Sequence, residues 1–333
     1  TNGSNNWAVP GSQTNSGVSL IANDTHLKFG LPSIWYEQQL MTPDQNVYGV
    51  MFPGAPGVVI GWNQDVSWAV TNATTDVLDW YEVEFKDKSS LEYRHGNQWH
   101  RAQKTVEKIQ VRGRRKPVKV EMIWTKLGVV LHRQDQLGLA MKWVVHEPSN
   151  ELKAILNLNR AGNIAECLQS VRQFRIPGQN FICADSQHVS LRHQGQFPKR
   201  WRGQGRTILN GRDPSNLWQG WIPQDSIPHV AKTSKEFVFS ANQRPTGPEY
   251  PLYLGWDYDE SYRARRLHQK LSQKTSWTVQ DFKELQTDVK APHAQEVLSV
   301  MMAGLPPEIF DKGFAQDLLQ GLREWNQEAT ATS

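Results

Sequence analysis

Cysteine is scarce in this chain: 333 residues contain two, Cys167 and Cys183. They show no Cys-x-x-Cys spacing, which excludes the usual zinc-ribbon and dithiol redox motifs. Cys167 falls in a helical pattern and Cys183 in a strand-like one, so two buried free thiols are expected. A disulfide is the alternative if the protein is exported. Long apolar runs are missing too, and no membrane-spanning helix is predicted. Neither sign of charge dominates, with 37 Lys and Arg against 33 Asp and Glu. The one basic cluster, around Arg112-Gly113-Arg114-Arg115-Lys116, sits between alternating runs and reads as the tip of an exposed hairpin, not a nucleic-acid surface. Internal repeats and low-complexity segments are absent. So are an initiating Met and a signal sequence, and the chain is expected to be a mature or excised piece of a longer product.

What is present is aromatic and β-rich. Fourteen Trp residues suit a fold with broad apolar surfaces to bury. Short β-branched and aromatic runs bounded by Gly, Pro, Asn and Asp predict strands at 19–21, 48–52, 58–62, 67–70 and 81–85. A meander follows at 91–94, 105–112, 118–125, 129–132 and 140–145, with later strands at 180–183, 189–192 and 237–241. Apolar steps of three and four predict helices over 163–174, 262–273, 279–289, 294–302 and 314–325. Thr278 stands three residues before Asp281 and reads as a helix N-cap. Strands and helices segregate by region, which gives an α+β class with stacked layers, not a doubly wound sheet.

The chain opens Thr1-Asn2-Gly3-Ser4-Asn5-Asn6-Trp7. Later blocks are Asn23-Asp24-Thr25-His26-Leu27 and Leu31-Pro32-Ser33-Ile34-Trp35-Tyr36-Glu37. Then come Phe52-Pro53-Gly54 through Gly61-Trp62-Asn63, Val66-Ser67-Trp68-Ala69-Val70-Thr71-Asn72, and Asp76-Val77-Leu78-Asp79-Trp80-Tyr81. Each resembles a block of the penicillin acylase family of N-terminal-nucleophile hydrolases, in the same order and at nearly the same spacing. The resemblance is dense over 4–85 and sparser over 177–290. It implies an αββα sandwich, in which two antiparallel sheets lie face to face between helices. It further implies that residues 1–3 are a spacer remnant and that 4–333 is a catalytic region shortened at its C-terminus. An upstream chain from the same precursor is the implied partner. The periplasm or the exterior is the implied location.

The resemblance also assigns roles. The nucleophile is a Ser that becomes N-terminal by self-cleavage, here at Gly3–Ser4. Its new α-amine, with a pKa of roughly 7.7–8.0, is suited to accept the hydroxyl proton. Thr1 is a rival by residue type, but the motif register favours Ser4. Oxyanion donors carry over to the Asn72 backbone N–H and the Asn242 side-chain amide. His26 stands where cephalosporin and acyl-homoserine-lactone acylases carry His and is expected to hydrogen-bond Ser4. Arg266, or alternatively Arg263, is expected to orient Asn242. Leu27 and Ile60 should line an aliphatic acyl pocket. Asp76 and Asp79, with the Leu78 carbonyl between them, match a structural calcium site. Its further ligands would come from the upstream chain and from near Asp257 or Asp259. No cofactor is implied for the chemistry. The resulting expectation is hydrolysis of an acyl amide of the penicillin acylase type, with an acyl-homoserine-lactone acylase or a non-catalytic binding homologue as alternatives. With Thr1 to Gly3 still attached, Ser4 has no free amine, and the chain as written is expected to be an unprocessed or inactive form.

Overall fold

A computed structural model describes residues 3–306 and 313–331. Thr1, the rival nucleophile, and Asn2 lie outside the described residues. Gly3–Val9 is the middle strand of a three-stranded antiparallel sheet, flanked by Val238–Ser240 and Leu20–His26. Strand alternation sorts its side chains between two faces. Trp7 and Val9 pack outward against Leu267, Leu271, Phe282 and Leu285. Ala8 points the other way, onto Ala69, Ile182 and Val189. By the same parity Ser4 and Asn6 face inward, and Asn6 Nδ2 donates to the Asn180 carbonyl across the layer. Trp7, fully buried, anchors this strand. Truncating such a residue to Ala costs about 3–5 kcal/mol.

The inner face meets a seven-stranded sheet in the order His229–Thr233, Val189–Gln194, Gln179–Ala184, Ser67–Asn72, Ile60–Trp62, Gln45–Met51 and Tyr36–Thr42. Its far side is covered by α1 (Glu151–Leu158) and α2 (Ile164–Val171). There Ile155, Leu158, Ile164 and Val171 pack on Val47, Trp68, Val70 and Phe181. The three-stranded sheet is covered by α3 (Tyr262–Ser272) and α4 (Val279–Gln286). Layers therefore run helices, sheet, sheet, helices, as the resemblance implies. Two further helices follow, α5 (Pro292–Gly304) and α6 (Gly313–Glu324). Among the described residues no helix is long and apolar enough to cross a membrane.

A six-stranded sheet stands beside the sandwich on its own core of Tyr81, Val83, Phe85, Tyr93 and Leu127. Its edge hairpin pairs Gln103–Ile109 with Val118–Thr125, which leaves the basic cluster in the exposed turn as predicted. Thr278 and Asp281 form a reciprocal capping box on α4. Lys274 and this cap hold the Asp281 carboxyl down at about 2.

The cysteines correct the sequence reading. Cys167 on α2 and Cys183 on the central sheet are joined in a disulfide, not left as two free thiols. Both were placed on the right elements, but only the packing of α2 on the sheet brings the sulfurs together. The reading also misses the strands Tyr36–Thr42 and His229–Thr233 and the whole of α1. Both strands are sheet edges with largely exposed side chains, where burial leaves little alternation to read.

Candidate active site

Ser4 is 4% exposed and sits on the inner face of its strand. Its N–H donates to Asn242 Oδ1 at 2.7 Å, and Asn242 Nδ2 reaches Ser4 Oγ at 3.2 Å. Asn242, 1% exposed, follows the flanking strand Val238–Ser240 in a left-handed conformation with φ of 63°. Asn tolerates this region better than most side chains. The turn aims its amide back at Ser4. The remaining Nδ2 hydrogen goes to the Asn72 carbonyl at 2.8 Å, which brings Ser4, Asn72 and Asn242 together.

The arginine is Arg263, which corrects the preference for Arg266. Arg263 Nη2 donates to Asn242 Oδ1 at 2.9 Å, and Nη1 donates to the Ser4 carbonyl at 2.8 Å and to Asn5 Oδ1 at 2.6 Å. Asp259 Oδ2 holds the same guanidinium at 2.6 Å. Arg266 lies almost a turn further along α3, roughly 4.5 Å down its axis, and pairs with Asp288 at 2.8 Å instead. A guanidinium only donates, so it admits only the oxygen of the Asn242 amide beside it. Nδ2 must then face Ser4 Oγ.

His26 also departs from expectation. Its Nε2 lies 3.0 Å from Asp24 Oδ2, to which it can donate, and 3.4 Å from Asn5 Nδ2, so the ring is turned to these residues and not to Ser4. Its strand pairs Gly3 with His26 and Ser4 with Thr25. This pairing sets the ring beside Gly3. A Cβ on Gly3 would come within 3.1 Å of Arg263 Nη2 and 3.2 Å of His26 Nδ1. The bare glycine keeps that approach open.

Ser4 and Asn72 lie on the wall of a cavity of about 440 Å³. Leu27 lines it as predicted, but Ile60 does not: Val59 takes that place, and Ile60 turns into a neighbouring cleft. In extended backbone a one-residue step reverses the side chain. The walls are mixed, with Leu27, Val59 and Ile155 set against Trp35, Phe52 and Phe174. The missed helix α1 contributes Leu152 and Ile155. Its Asn150 cap, which accepts from the Lys153 N–H, is a start signal the sequence did carry.

Behind this wall runs a buried polar network that the sequence reading misses. Asn180 Nδ2 donates to Ser240 Oγ at 3.0 Å, to Thr71 Oγ1 at 3.2 Å and to the Asn72 carbonyl at 3.2 Å. That leaves Asn180 Oδ1 facing His193 Nδ1 at 2.6 Å, which must therefore carry the proton. His193 Nε2 accepts from Thr75 Oγ1 at 2.7 Å. Complete burial and the nearby Arg192 push the His193 pKa down to about 3, so it stays a neutral strut.

Asp76 and Asp79 do converge, but on a cation supplied by the chain. Arg200 Nη1 donates to Asp76 Oδ2 at 2.9 Å and to Asp79 Oδ1 at 3.0 Å, while Nη2 donates to the Asp76 carbonyl. Asp79 Oδ2 accepts from Trp218 Nε1. Burial pushes the Asp79 carboxyl up, while Arg200 and Trp218 pull it down. Leu78 pairs with Trp143 in the six-stranded sheet, and Asp259 belongs to Arg263. As these residues stand they do not fit calcium, because the inward-facing oxygens are already committed to a guanidinium. Among the described residues no cluster of three or more His, Cys, Asp or Glu could hold a metal ion.

The penicillin amidase family matches this chain over residues 1–333. Acyl-homoserine lactone acylase QuiP of Pseudomonas aeruginosa is 29% identical over 86% of this chain and 35% of that protein. Penicillin acylase 2 proenzyme of Pseudomonas sp. strain SE83 is 26% identical over 87% of this chain and 38% of that protein. The chain thus spans little more than a third of the length of these relatives. Among solved structures, a thermostable penicillin G acylase from Alcaligenes faecalis shares the fold, with a TM-score of 0.77 over 98% of this chain and 60% of that one, at 21% identity. Fold and family match agree along the described chain, and the protein belongs to the penicillin amidase family.

Proposed function

We propose that this chain is the catalytic part of an acylase that hydrolyses an acyl amide through Ser4, freed as an N-terminal residue by self-cleavage at Gly3–Ser4. The observation that carries this reading is the join of Ser4 to Asn242 and Arg263, far apart in sequence, at the wall of an apolar cavity. In maturation Ser4 Oγ attacks the Gly3 carbonyl, the acyl group passes from nitrogen to oxygen, and water releases the upstream piece. In turnover the α-amine, acting through a water, accepts the hydroxyl proton as Oγ attacks the substrate carbonyl. The oxyanion meets Asn242 Nδ2 and the Asn72 N–H, each donor worth about 100- to 1000-fold in rate. Collapse passes the proton to the leaving amine, and a second water hydrolyses the acyl-Ser4 ester. The positive charge of Arg263 disfavours protonation of the neighbouring α-amine and so helps keep the base available. His26 acts on the precursor side of the bond, beside Gly3.

A cavity of about 440 Å³ lies within the range of small-molecule sites, about 300–1,000 Å³. Its mixed lining suits a linear or branched acyl chain at least as well as a benzyl group. This observation favours a second reading, an acyl-homoserine-lactone acylase. An upstream chain is the proposed partner. Phe29 and Leu31 are fully exposed just past the cavity wall, and Ile34, Tyr36 and Phe52 are partly so, a surface suited to such a chain. The disulfide supports export to an oxidising compartment.

A panel of phenylacetyl, linear-acyl and glutaryl amides, offered to the matured, assembled protein, tests the reading. Turnover greatest for linear acyl groups is expected. Strong phenylacetyl preference would overturn the acyl assignment. An intact Gly3–Ser4 bond with no turnover of any amide would indicate a non-catalytic homologue.

A further inference from the structure

The Asp76/Asp79 site is built around a side chain that the family resemblance did not anticipate. The Arg200 side chain is 1% exposed and that of Asp79 is fully buried. Three acceptors converge on the guanidinium: one carboxylate oxygen from each Asp and the carbonyl of Asp76. Tyr253 lies beneath it, with the Arg200 carbon 5.7 Å from the ring centre. Gly205 closes the remaining side with φ of 90°. A Cβ there would stand 2.8 Å from Asp76 Oδ2 and 2.9 Å from Arg200 Nη1 and would collide with Asp79 Oδ1. Calcium takes six to eight oxygen ligands at about 2.3–2.6 Å. The position between the two carboxylates holds a nitrogen at ordinary hydrogen-bond distance from both. An ion placed there would have to expel a buried arginine.

We propose that Arg200 is the resident cation of this site, so that the protein holds together here without calcium. One positive charge fixed in the chain takes the place of a diffusible one. The site lies at the joint between the strand Ser67–Asn72, which carries Asn72, and the strand Leu78–Glu84 of the six-stranded sheet. Arg200 ties the linking segment, at Asp76, to the start of the second strand, at Asp79. Its role follows from charge, geometry and burial, and does not depend on the hydrolysis proposed above.

The experiment compares melting of the assembled protein in a calcium chelator and in millimolar calcium. Wild type is expected to melt at the same temperature in both. Arg200→Ala leaves two carboxylates facing each other without a counter-charge, and its melting temperature should fall by roughly 5–10 °C. Millimolar calcium should then recover part of that loss, because the Asp76 and Asp79 oxygens are free to bind it. If Arg200→Ala does not fold, Arg200→Lys provides the reading: it retains the charge but cannot bridge all three acceptors, so it should melt lower than wild type and remain indifferent to calcium. Wild-type melting that drops on chelation and returns with one bound calcium would overturn the proposal. So would an Arg200→Ala protein as stable as wild type, or one whose loss calcium does not touch.

Discussion

Two places in this molecule gather the residues that the sequence singles out, and they end differently. Around Ser4, the Asn242 amide comes within hydrogen-bond reach of the hydroxyl and also holds the Asn72 carbonyl. Around Asp76 and Asp79 the two carboxylates also arrive together, yet they enclose Arg200 where an ion was expected. The family resemblance implied the convergence in both cases. What stands at the centre depended on a residue more than a hundred positions away, and no motif around Arg200 announces it. The arginine of the first site teaches the same point more gently. Arg263 and Arg266 share a helix, and only the docking of α3 on the three-stranded sheet decides which of them reaches Asn242.

The largest expected effect falls on the oxyanion donor. Asn242→Gly removes the amide but suits the positive φ, so the fold should survive while kcat falls by about 100- to 1000-fold. Steady-state kinetics beside a circular dichroism spectrum would check both halves. An unchanged kcat would place the oxyanion elsewhere.

Next comes the pair of arginines. Arg263→Ala should cost on the order of 100-fold in kcat/KM by misplacing the amide. It should also raise the pH below which activity is lost, because the α-amine loses a positive neighbour. Arg263→Lys keeps the charge but not the fork, and should lower the rate without moving the pH profile. Arg266→Ala should leave both near wild type. Equal losses at the two positions would erase the distinction.

A smaller effect separates Val59 from Ile60. Val59→Phe should shorten the preferred acyl chain and cut turnover of long-chain amides by about 10-fold, whereas Ile60→Phe should leave chain-length preference unchanged. Rates across a homologous series of linear acyl amides decide which side chain faces the cavity.

The mildest prediction concerns the network behind the oxyanion wall. The unfolded chain takes up a proton on His193 near pH 6.5, while the folded chain refuses it until about 3. This contribution to stability is therefore fully present above pH 6.5 and is lost progressively as pH falls toward 3. His193→Gln should flatten the fall of melting temperature between neutral and mildly acidic pH. A slope identical to wild type would show that another group carries it.

The αββα order came from the family resemblance, while the central strands and most helices were legible because their side chains alternate or step against a buried layer. The strand Gly3–Val9 was not among those predicted, although its Trp7 and Val9 face one core and its Ala8 another. The strand Tyr36–Thr42 was not legible, since its exposed side chains impose no period. Helix α1 had a cap and apolar steps at Leu152, Ile155 and Leu158, so its omission was a failure of reading and not of signal. Ile60 shows how narrow the margin is in extended backbone: the right segment was chosen, one residue off, and the side chain belongs to another cleft. The disulfide needed the packing of α2 before it could be seen.

The central claim is that one residue supplies both hydroxyl and amine after a glycine is removed from before it. Intact-mass and N-terminal analysis of the full precursor, wild type beside Ser4→Ala, tests this most directly. The account predicts a wild-type chain beginning at Ser4 that hydrolyses amides, and an alanine variant left uncut and inert. A Ser4→Ala protein that is still cleaved before residue 4 and still releases acid from an amide would contradict it.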